Sequence, residues 1–549
     1  MPKTRSHILA IIFSAALSFF LIFPSWYSGH LIGHPALDVW SHAWGMDWFS
    51  SSIRKGVFPW YVDGVAWPQN RILWYIDPIG ALVFTPFSWF LGPITSYNLL
   101  IALQIFLLGW ATWLFAQTQK SKGWLAMTIL CTSPYLMGEY WNGVIEAGWL
   151  ALIPFAGYLA GRSSKYTGIL VGLAALGTPY HGVSAALLVT TIILGHRTQS
   201  WGIRLRRLVV AGALALLVAI PHIILLRLSF HGELSFVNRS IYEGYNPALL
   251  ISNAIDPSAF FTQGDFWTQK INNTRLGVPW HKTPYLGWLA IGGSLALLIF
   301  RTRKAILWLP VLIGISFTLG VFLWHDGQWV VAPNGGYYQL PLAYLAQWVP
   351  VPVDHPMRFV GIALCGLALM SDRFFGKFGW LLCGLVVYEN LYLAPNSWPL
   401  PHTDAQLPDV YKRLPNDGSA ILDLPADLGV GNHTNRYLFW QRLHQHPIPW
   451  SNKVSAMGVA SKNPAVISWA ALSGDVTGYI EGLDPNATIT QKTLQKENYS
   501  TIILHLDLLK NTQEIRKYET INSIFGQPQK SQSVWVWKVP TNHSTLNSK

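Results

Sequence analysis

The sequence reads as a mainly α-helical, polytopic membrane protein closed by an α/β domain outside the membrane, and three observations carry that reading. Only 12% of the 549 residues are charged and 51% are hydrophobic, against about 25% charged residues in an ordinary soluble domain. Apolar runs recur along residues 1–394; a span needs about 20 residues, and shorter runs are tolerable in crowded bundles. From residue 395 the runs stop and the chain turns polar. The net charge of +12 does not point to nucleic acid, because the basic residues fall in short clusters between apolar runs, as membrane topology requires.

The first run, Ile8–Phe23, follows Lys3 and Arg5. "PSWYSGH" after it is a poor cleavage site, so the run reads as an uncleaved first span with its N-terminus in the cytoplasm. Further runs lie at roughly 94–117, 123–138, 147–161, 166–178, 182–195, 208–228, 285–300, 305–324, 358–371 and 378–394, about eleven spans in all. The loops on one side hold Lys120, Lys122, Arg162, Lys165, Arg204, Arg206, Arg207, Arg301, Arg303, Lys304, Arg373 and Lys377. Each is basic, as cytoplasmic loops should be.

The other side holds the long loops, 24–93, 229–284 and 325–357. Within the first, "IGALVFTPFSWFLG" is short and broken by proline, and reads as a juxtamembrane or re-entrant segment. The domain boundaries are 1–394 for the membrane part, with its large outer loop 24–93, and 395–549 for the outer domain. In that domain Ala420–Pro425, Ser500–Asp507 and Ser533–Val539 read as strands, and "NTQEIRKYETINSIFG" as a helix stopped by Gly526. Cys131, Cys365 and Cys383 all lie in apolar runs, too sparse for a disulfide framework or a zinc knuckle. Many of the 28 tryptophans and 22 tyrosines sit at run ends, which suits an aromatic belt at the membrane interface.

Acids and histidines collect on the outer side. "HPALDVWSHAWGMDWF" sets His34, Asp38 and His42 four residues apart in a helix expected to open after Pro35. That spacing puts the three on one face. Two histidines so spaced suit zinc, but no HExxH pattern accompanies them. The competing reading is a helix-face carboxylate paired with a histidine. Asp47, nine residues on, reads as a background carboxylate.

The second outer turn, "MGEYWNGVIEAGW", holds Glu139 and Glu146, either solvated at the rim or facing a cavity with Asp38. "LGTPYHGVS" places Tyr180 and His181 in a Pro/Gly-broken turn, tolerated at membrane depth where it lines a cavity. "WHDGQW" offers His325, and "VDHPMRF" offers His355 and Arg358. Arg358 opens a span on the outer face, against the positive-inside bias. It either snorkels or binds a phosphate through its forked donors.

Together these stretches resemble bacterial polytopic C-fold (GT-C) glycosyltransferases. The likeness lies in "LDVWSHAW" after the first span, then "GVFPWYVDGVAWPQN" and "DPIGALVFTPFSWFLGPITSYNLL". It continues in the acids bracketed by "SPY" and "WLALIPF", in "HPMRF", and in the tail's "NYSTIILH". It covers about residues 1–395, and the tail more loosely.

The resemblance implies transfer, with inversion, of a sugar from a polyprenyl-phosphate donor to a glycan, lipid or protein acceptor on the outer face. Asp38 is then the base, Glu139 or Glu146 a second acid, and Arg358, helped by His325 and His355, the contact to the lipid phosphate. His34, His42, Tyr180 and His181 line the cavity. The chain lacks the Asp-x-Asp pair of some metal-using members, its glutamates being seven apart. A divalent metal is therefore compatible with the sequence but not demanded by it. The location implied is a bacterial inner (cytoplasmic) membrane, with the C-terminal domain extracytoplasmic and membrane lipid as a neighbour. The alternatives are a non-catalytic GT-C-like envelope assembly factor and a lipid or polysaccharide transporter. The latter often shows inverted repeats, and no repeat is visible here.

Overall fold

The computed structural model describes residues 4–59, 61–62, 64–68, 72–73, 77–196, 198–231, 255–262, 283–300, 307–325, 328–346, 355–393, 398–426, 433–450, 463, 465–466, 469, 487–509, 512–531 and 533–540. Internal packing divides the chain into two compact units. One comprises Met1–His34, Ile76–Arg227 and Tyr242–Asp404, the other Pro35–Tyr75, Leu228–Ile241 and Ala405–Lys549.

The first unit is a helical bundle. Its opening helix, Thr4–Ile22, packs along Pro78–Thr118. Ser14 and Ser18 donate to the Phe106 and Ala102 carbonyls, both at 2.6 Å, so the hydroxyls are satisfied inside an apolar contact. Pro78–Thr118 leaves helical geometry at Gly92 (φ 75°, ψ 168°), just before Pro93. The "IGALVFTPFSWFLG" segment is therefore a helix in its own right.

Among the described residues, four helices are long and apolar enough to cross a membrane: Thr4–Ser25, Pro78–Thr118, Trp201–Leu225 and Pro356–Leu393. Ile145–Ala160, Pro179–Leu194, Trp288–Phe300 and Trp308–Thr318 are shorter apolar helices. Proline does the dividing. The run at 123–138 becomes Trp124–Cys131 and Pro134–Trp141, since Pro134 has no N–H to continue the ladder. Counting apolar runs does not register such cuts.

Close contacts fix the bundle at two further places. Gly168 and Gly172, four apart on Ser164–Gly177, face the helix Trp201–His231. A methyl at Gly168 would strike the Ala211 carbonyl oxygen, and one at Gly172 would strike Val218. This small-residue seam lets two backbones approach where lipid gives apolar side chains no reason to associate. Elsewhere Asp372, fully buried, accepts from the amides of Gly123 (2.7 Å) and Leu125 (3.0 Å) and from the Ser121 hydroxyl. It pins the basic loop that starts Trp124–Cys131.

A two-stranded ribbon pairs His30–Ile32 with His402–Asp404, antiparallel. Buried Asn98 completes it like a short third strand, donating to the His30 carbonyl (2.8 Å) and accepting from the Ile32 amide (3.0 Å).

The second unit contains a four-stranded sheet in the order Ala420–Leu424, Tyr499–His505, Val534–Lys538, Gln529–Lys530. The first pair is parallel and the others antiparallel. The two parallel strands are buried at every residue, which is why "AILDL" and "YSTIILH" do not alternate apolar with charged surface residues. The expected helix over "NTQEIRKYETINSIFG" is segmented into Thr512–Lys517, a 3-10 turn Tyr518–Ile521 and Asn522–Phe525, ending at Gly526 (φ 77°).

A polar network lies inside this unit. Buried Asp423 accepts from the Tyr411 hydroxyl (2.7 Å) and lies 3.3 Å from His505 Nε2. The His444 ring stacks on Tyr411 with centroids 4.6 Å apart.

Two predictions follow from this packing. Gly168→Val should push the Ser164–Gly177 and Trp201–His231 helices apart and lower the Tm of the detergent-purified protein, whereas Gly212→Val, in open space on the second helix, should not. Burial drives the His444 pKa down to about 3 from an ordinary 6.5. The unfolded chain therefore takes up a proton that the folded one resists, and stability present above 6.5 is lost as pH falls towards 3. The protection factors of the second unit's amides, taken against the unprotected rate at each pH, should fall on acidification, and His444→Gln should flatten that dependence.

Candidate functional site

The first unit brings four of the expected site residues together, Arg358, Glu139, Glu146 and Tyr180. Arg358 lies on the 3-10 turn Pro356–Phe359, where Pro356 opens the turn with its preset φ. Its side chain is only 10% exposed. Its Nη2 donates to Glu146 Oε1 at 3.0 Å and lies 3.7 Å from Glu139 Oε2. The guanidinium carbon also sits 5.8 Å from the centroid of the Tyr180 ring. Arg358 thus neither snorkels nor stands alone: it is a buried cation balanced by two carboxylates. Its Nε is buried, with no hydrogen-bond partner among the described residues.

The acids are not in an open turn. Glu139 lies on the helix Pro134–Trp141, capped by Ser133, and Glu146 on the 3-10 helix Ile145–Ala151. Glu139 is 3% exposed and Glu146 is 14% exposed, so solvation at the rim does not describe Glu139.

The segment between them is held by the Pro78–Thr118 helix. Tyr97 donates to the Gly143 carbonyl (3.1 Å) and Gln104 to the Ile145 carbonyl (3.0 Å). Tyr140 donates back to Gln104 (3.2 Å). Asp77, which caps that helix through the Gly80 amide (2.8 Å), takes the Trp149 indole N–H at 3.1 Å. Asp77, Tyr97 and Gln104 are absent from the sequence-based site. The "DP" that opens an apolar run was the available signal for Asp77.

Tyr180 and His181 lie at the start of the helix Pro179–Leu194. Tyr180 Oη accepts from the His355 amide at 2.8 Å, bringing His355's backbone beside the cluster. His181 is fully buried, with its Nε2 3.4 Å from the Tyr135 hydroxyl. His325 is 67% exposed and pairs with Asp256 at 3.3 Å.

The His34–His42 stretch departs from expectation. Pro35–Asp38 form a turn, and the helix runs from Val39 to Arg54 with Asp38 as its N-terminal cap residue. His34 therefore lies outside the helix, and the trio does not share one helical face. The His34 amide instead donates to the Trp141 carbonyl (2.8 Å), and its ring stacks on Trp141 at 5.7 Å. Partial burial lowers the His34 pKa. Among the described residues, no three His, Cys, Asp or Glu side chains are placed to hold a metal ion, so the metal reading of the trio has no fit here.

Asp38 itself is half-buried in the second unit, and its carboxylate makes no capping bond to its own helix. His42 is buried on that helix, with its amide bonded to the Asp38 carbonyl at 3.1 Å. Asp47 is no background carboxylate, since its Oδ2 lies 3.2 Å from Arg442 Nε.

Removing the cation tests the cluster. Arg358→Ala should cost about 3–5 kcal/mol, because the charge that balances two largely buried carboxylates is gone. Thermal unfolding in detergent should show the loss, with a smaller one for Arg358→Lys, and with a larger one for Glu146→Gln, which gives up the charged 3.0 Å contact, than for Glu139→Gln at 3.7 Å.

No family model matches the chain, and no curated protein matches it. Solved structures do. Arabinofuranosyltransferase AftD from mycobacteria aligns with a TM-score of 0.55 at 14% identity, over 98% of this chain and 40% of that one. A mutant form of the same enzyme gives 0.57 at 15% identity, over 98% and 42%. The oligosaccharyltransferase of Archaeoglobus fulgidus, tethered to an acceptor peptide with the NVT sequon, gives 0.50 at 11% identity, over 92% and 70%. This chain spans less than half the length of the arabinofuranosyltransferase. At such identities the likeness is one of architecture: the chain has the fold of the GT-C glycosyltransferases.

Proposed function

We propose that the chain is an integral membrane glycosyltransferase. It moves a sugar from a polyprenyl-phosphate donor to an acceptor hydroxyl on the outer face of the cytoplasmic membrane. The carrying observation is Arg358, a buried arginine fixed by Glu139 and Glu146, whose Nε donor has no partner among the described residues, in a chain of the GT-C fold.

Asp38 takes the proton of the acceptor hydroxyl as its oxygen attacks the anomeric carbon. The bond from that carbon to the phosphate oxygen breaks on the opposite face, and its electron pair stays with the phosphate. One displacement inverts the configuration. Charge grows on the phosphate as the bond breaks, and Arg358 meets it with donors already aimed. Glu139 and Glu146 keep the guanidinium from reorienting, so little reorganisation is required during the step. Tyr180 supports the guanidinium through its ring and anchors the backbone of His355.

The test is transfer from polyprenyl-phosphate sugars by protein reconstituted in vesicles. Asp38→Asn should reduce kcat by about 100-fold or more, with the donor KM little changed. Arg358→Lys should weaken donor use, because an ammonium cannot reproduce the fork. Wild-type rates in Asp38→Asn would remove the role given to Asp38. Absence of transfer from every polyprenyl-phosphate sugar supplied would remove the activity itself.

A further inference from the structure

We infer that the ion pair between Asp47 and Arg442 is a positioning device, which sets the carboxylate of Asp38 by fixing the register of the helix that Asp38 opens. This rests on the role proposed for Asp38.

The helix Val39–Arg54 packs against the helix His433–His444 of the same unit. Apolar contact supplies the area. The Trp40 ring lies 5.8 Å from Phe439 and 6.3 Å from Trp440, and the Arg436 guanidinium sits 5.2 Å from Trp40. Tilted and edge-on ring contacts of this kind resist separation more than they fix register. A slip of one turn moves a helix by about 5.4 Å along its axis and still leaves ring against ring.

Asp47 and Arg442 remove that freedom. Their side chains are 17% and 9% exposed, and they meet at 3.2 Å. Burial raises the Asp47 pKa and Arg442 opposes the rise, so a slipped helix would strand a carboxylate and a guanidinium in poorly hydrated surroundings. That penalty is severe where mere loss of packing is mild. Asp47 lies nine residues after Asp38, about 13.5 Å along the axis, on one rigid helix. A shift at Asp47 is therefore transmitted in full to Asp38.

The experiment measures kcat and KM for Asp47→Asn, Arg442→Gln and the exchanged pair Asp47→Arg/Arg442→Asp, each alone and on the Asp38→Asn background. The positioning role predicts a kcat loss of roughly 10- to 100-fold for each single variant, the scale of an ångström's misplacement, at unchanged donor KM. It also predicts partial recovery in the exchanged pair. On the Asp38→Asn background the same changes should alter the residual single-turnover rate by less than about twofold, since the group they act through is already gone.

Equal fold-losses on both backgrounds would assign the pair to stability alone and overturn the inference. Wild-type kcat in folded Asp47→Asn and Arg442→Gln, with Asp38→Asn inactive, would overturn the inference and leave Asp38 in place. Wild-type kcat in Asp38→Asn would overturn both. Where a single variant fails to fold, the exchanged pair and its Asp38→Asn derivative give the same comparison.

Discussion

A guanidinium withdrawn from water has to be balanced, and in the first unit that requirement organises the surrounding chain. Leaving Arg358 buried without counter-charges would cost several kcal/mol, so Glu139 and Glu146 must arrive at fixed positions. They do so on a short helix and a 3-10 turn that have little rigidity of their own. The stiffness comes from the two helices that meet at Gly92: Asp77 at the cap of the first, and Tyr97 and Gln104 on the second, each hold one point of the segment from Gly143 to Trp149. Gly148 belongs to the same arrangement, because a methyl there would collide with Gln104 and Tyr140. Pairing one buried charge thus fixes a helix cap, two polar residues in an apolar helix and a glycine.

Arg358 was legible in the sequence because it breaks a rule, a basic residue opening an apolar run on the side where basic residues are scarce. Glu139 and Glu146 were legible because acids between apolar runs are costly. Their pairing was not, since Arg358 and Glu146 are 212 residues apart and no local pattern names a partner at that distance. The strands at Ala420–Leu424, Tyr499–His505 and Val534–Lys538 could be located from their apolar runs and the turn residues around them. The helical face through His34 could not, because a four-residue period is also compatible with a turn. There the Trp141 carbonyl and the Pro35–Asp38 turn prevail over periodicity.

The division into units has a simple origin in the chain. The ribbon of His30–Ile32 with His402–Asp404 belongs to the first unit, and directly after each strand the chain passes into the second, at Pro35 and at Ala405. Asn98 secures the first of these strands from the bundle side. A segment early in the sequence, Pro35–Tyr75, thereby shares a unit with the tail. The helix that follows Asp38 packs against His433–His444, some four hundred positions later. This explains why Asp47 looked like background: its partner Arg442 is 395 residues away.

Both units separate what supplies energy from what supplies geometry. Apolar burial holds the elements together and is tolerant of direction, since dispersion and the hydrophobic effect scale with area. Polar contacts add little by comparison, about 1 kcal/mol for a typical hydrogen bond and less for an exposed ion pair. Their influence comes from the penalty for mismatch, because a buried donor or charge without its partner costs far more than the partnered contact contributes. The Gln104 amide holds the segment of Glu139 and Glu146 in this way, and Arg442 is the partner of Asp47 on the helix Val39–Arg54. Chemistry that loses up to about 100-fold in rate for a misplacement of about 1 Å cannot rely on apolar contact alone. The contacts that fix position in both units are therefore polar and join segments far apart in sequence, as Arg358 with Glu146 and Arg442 with Asp47 do.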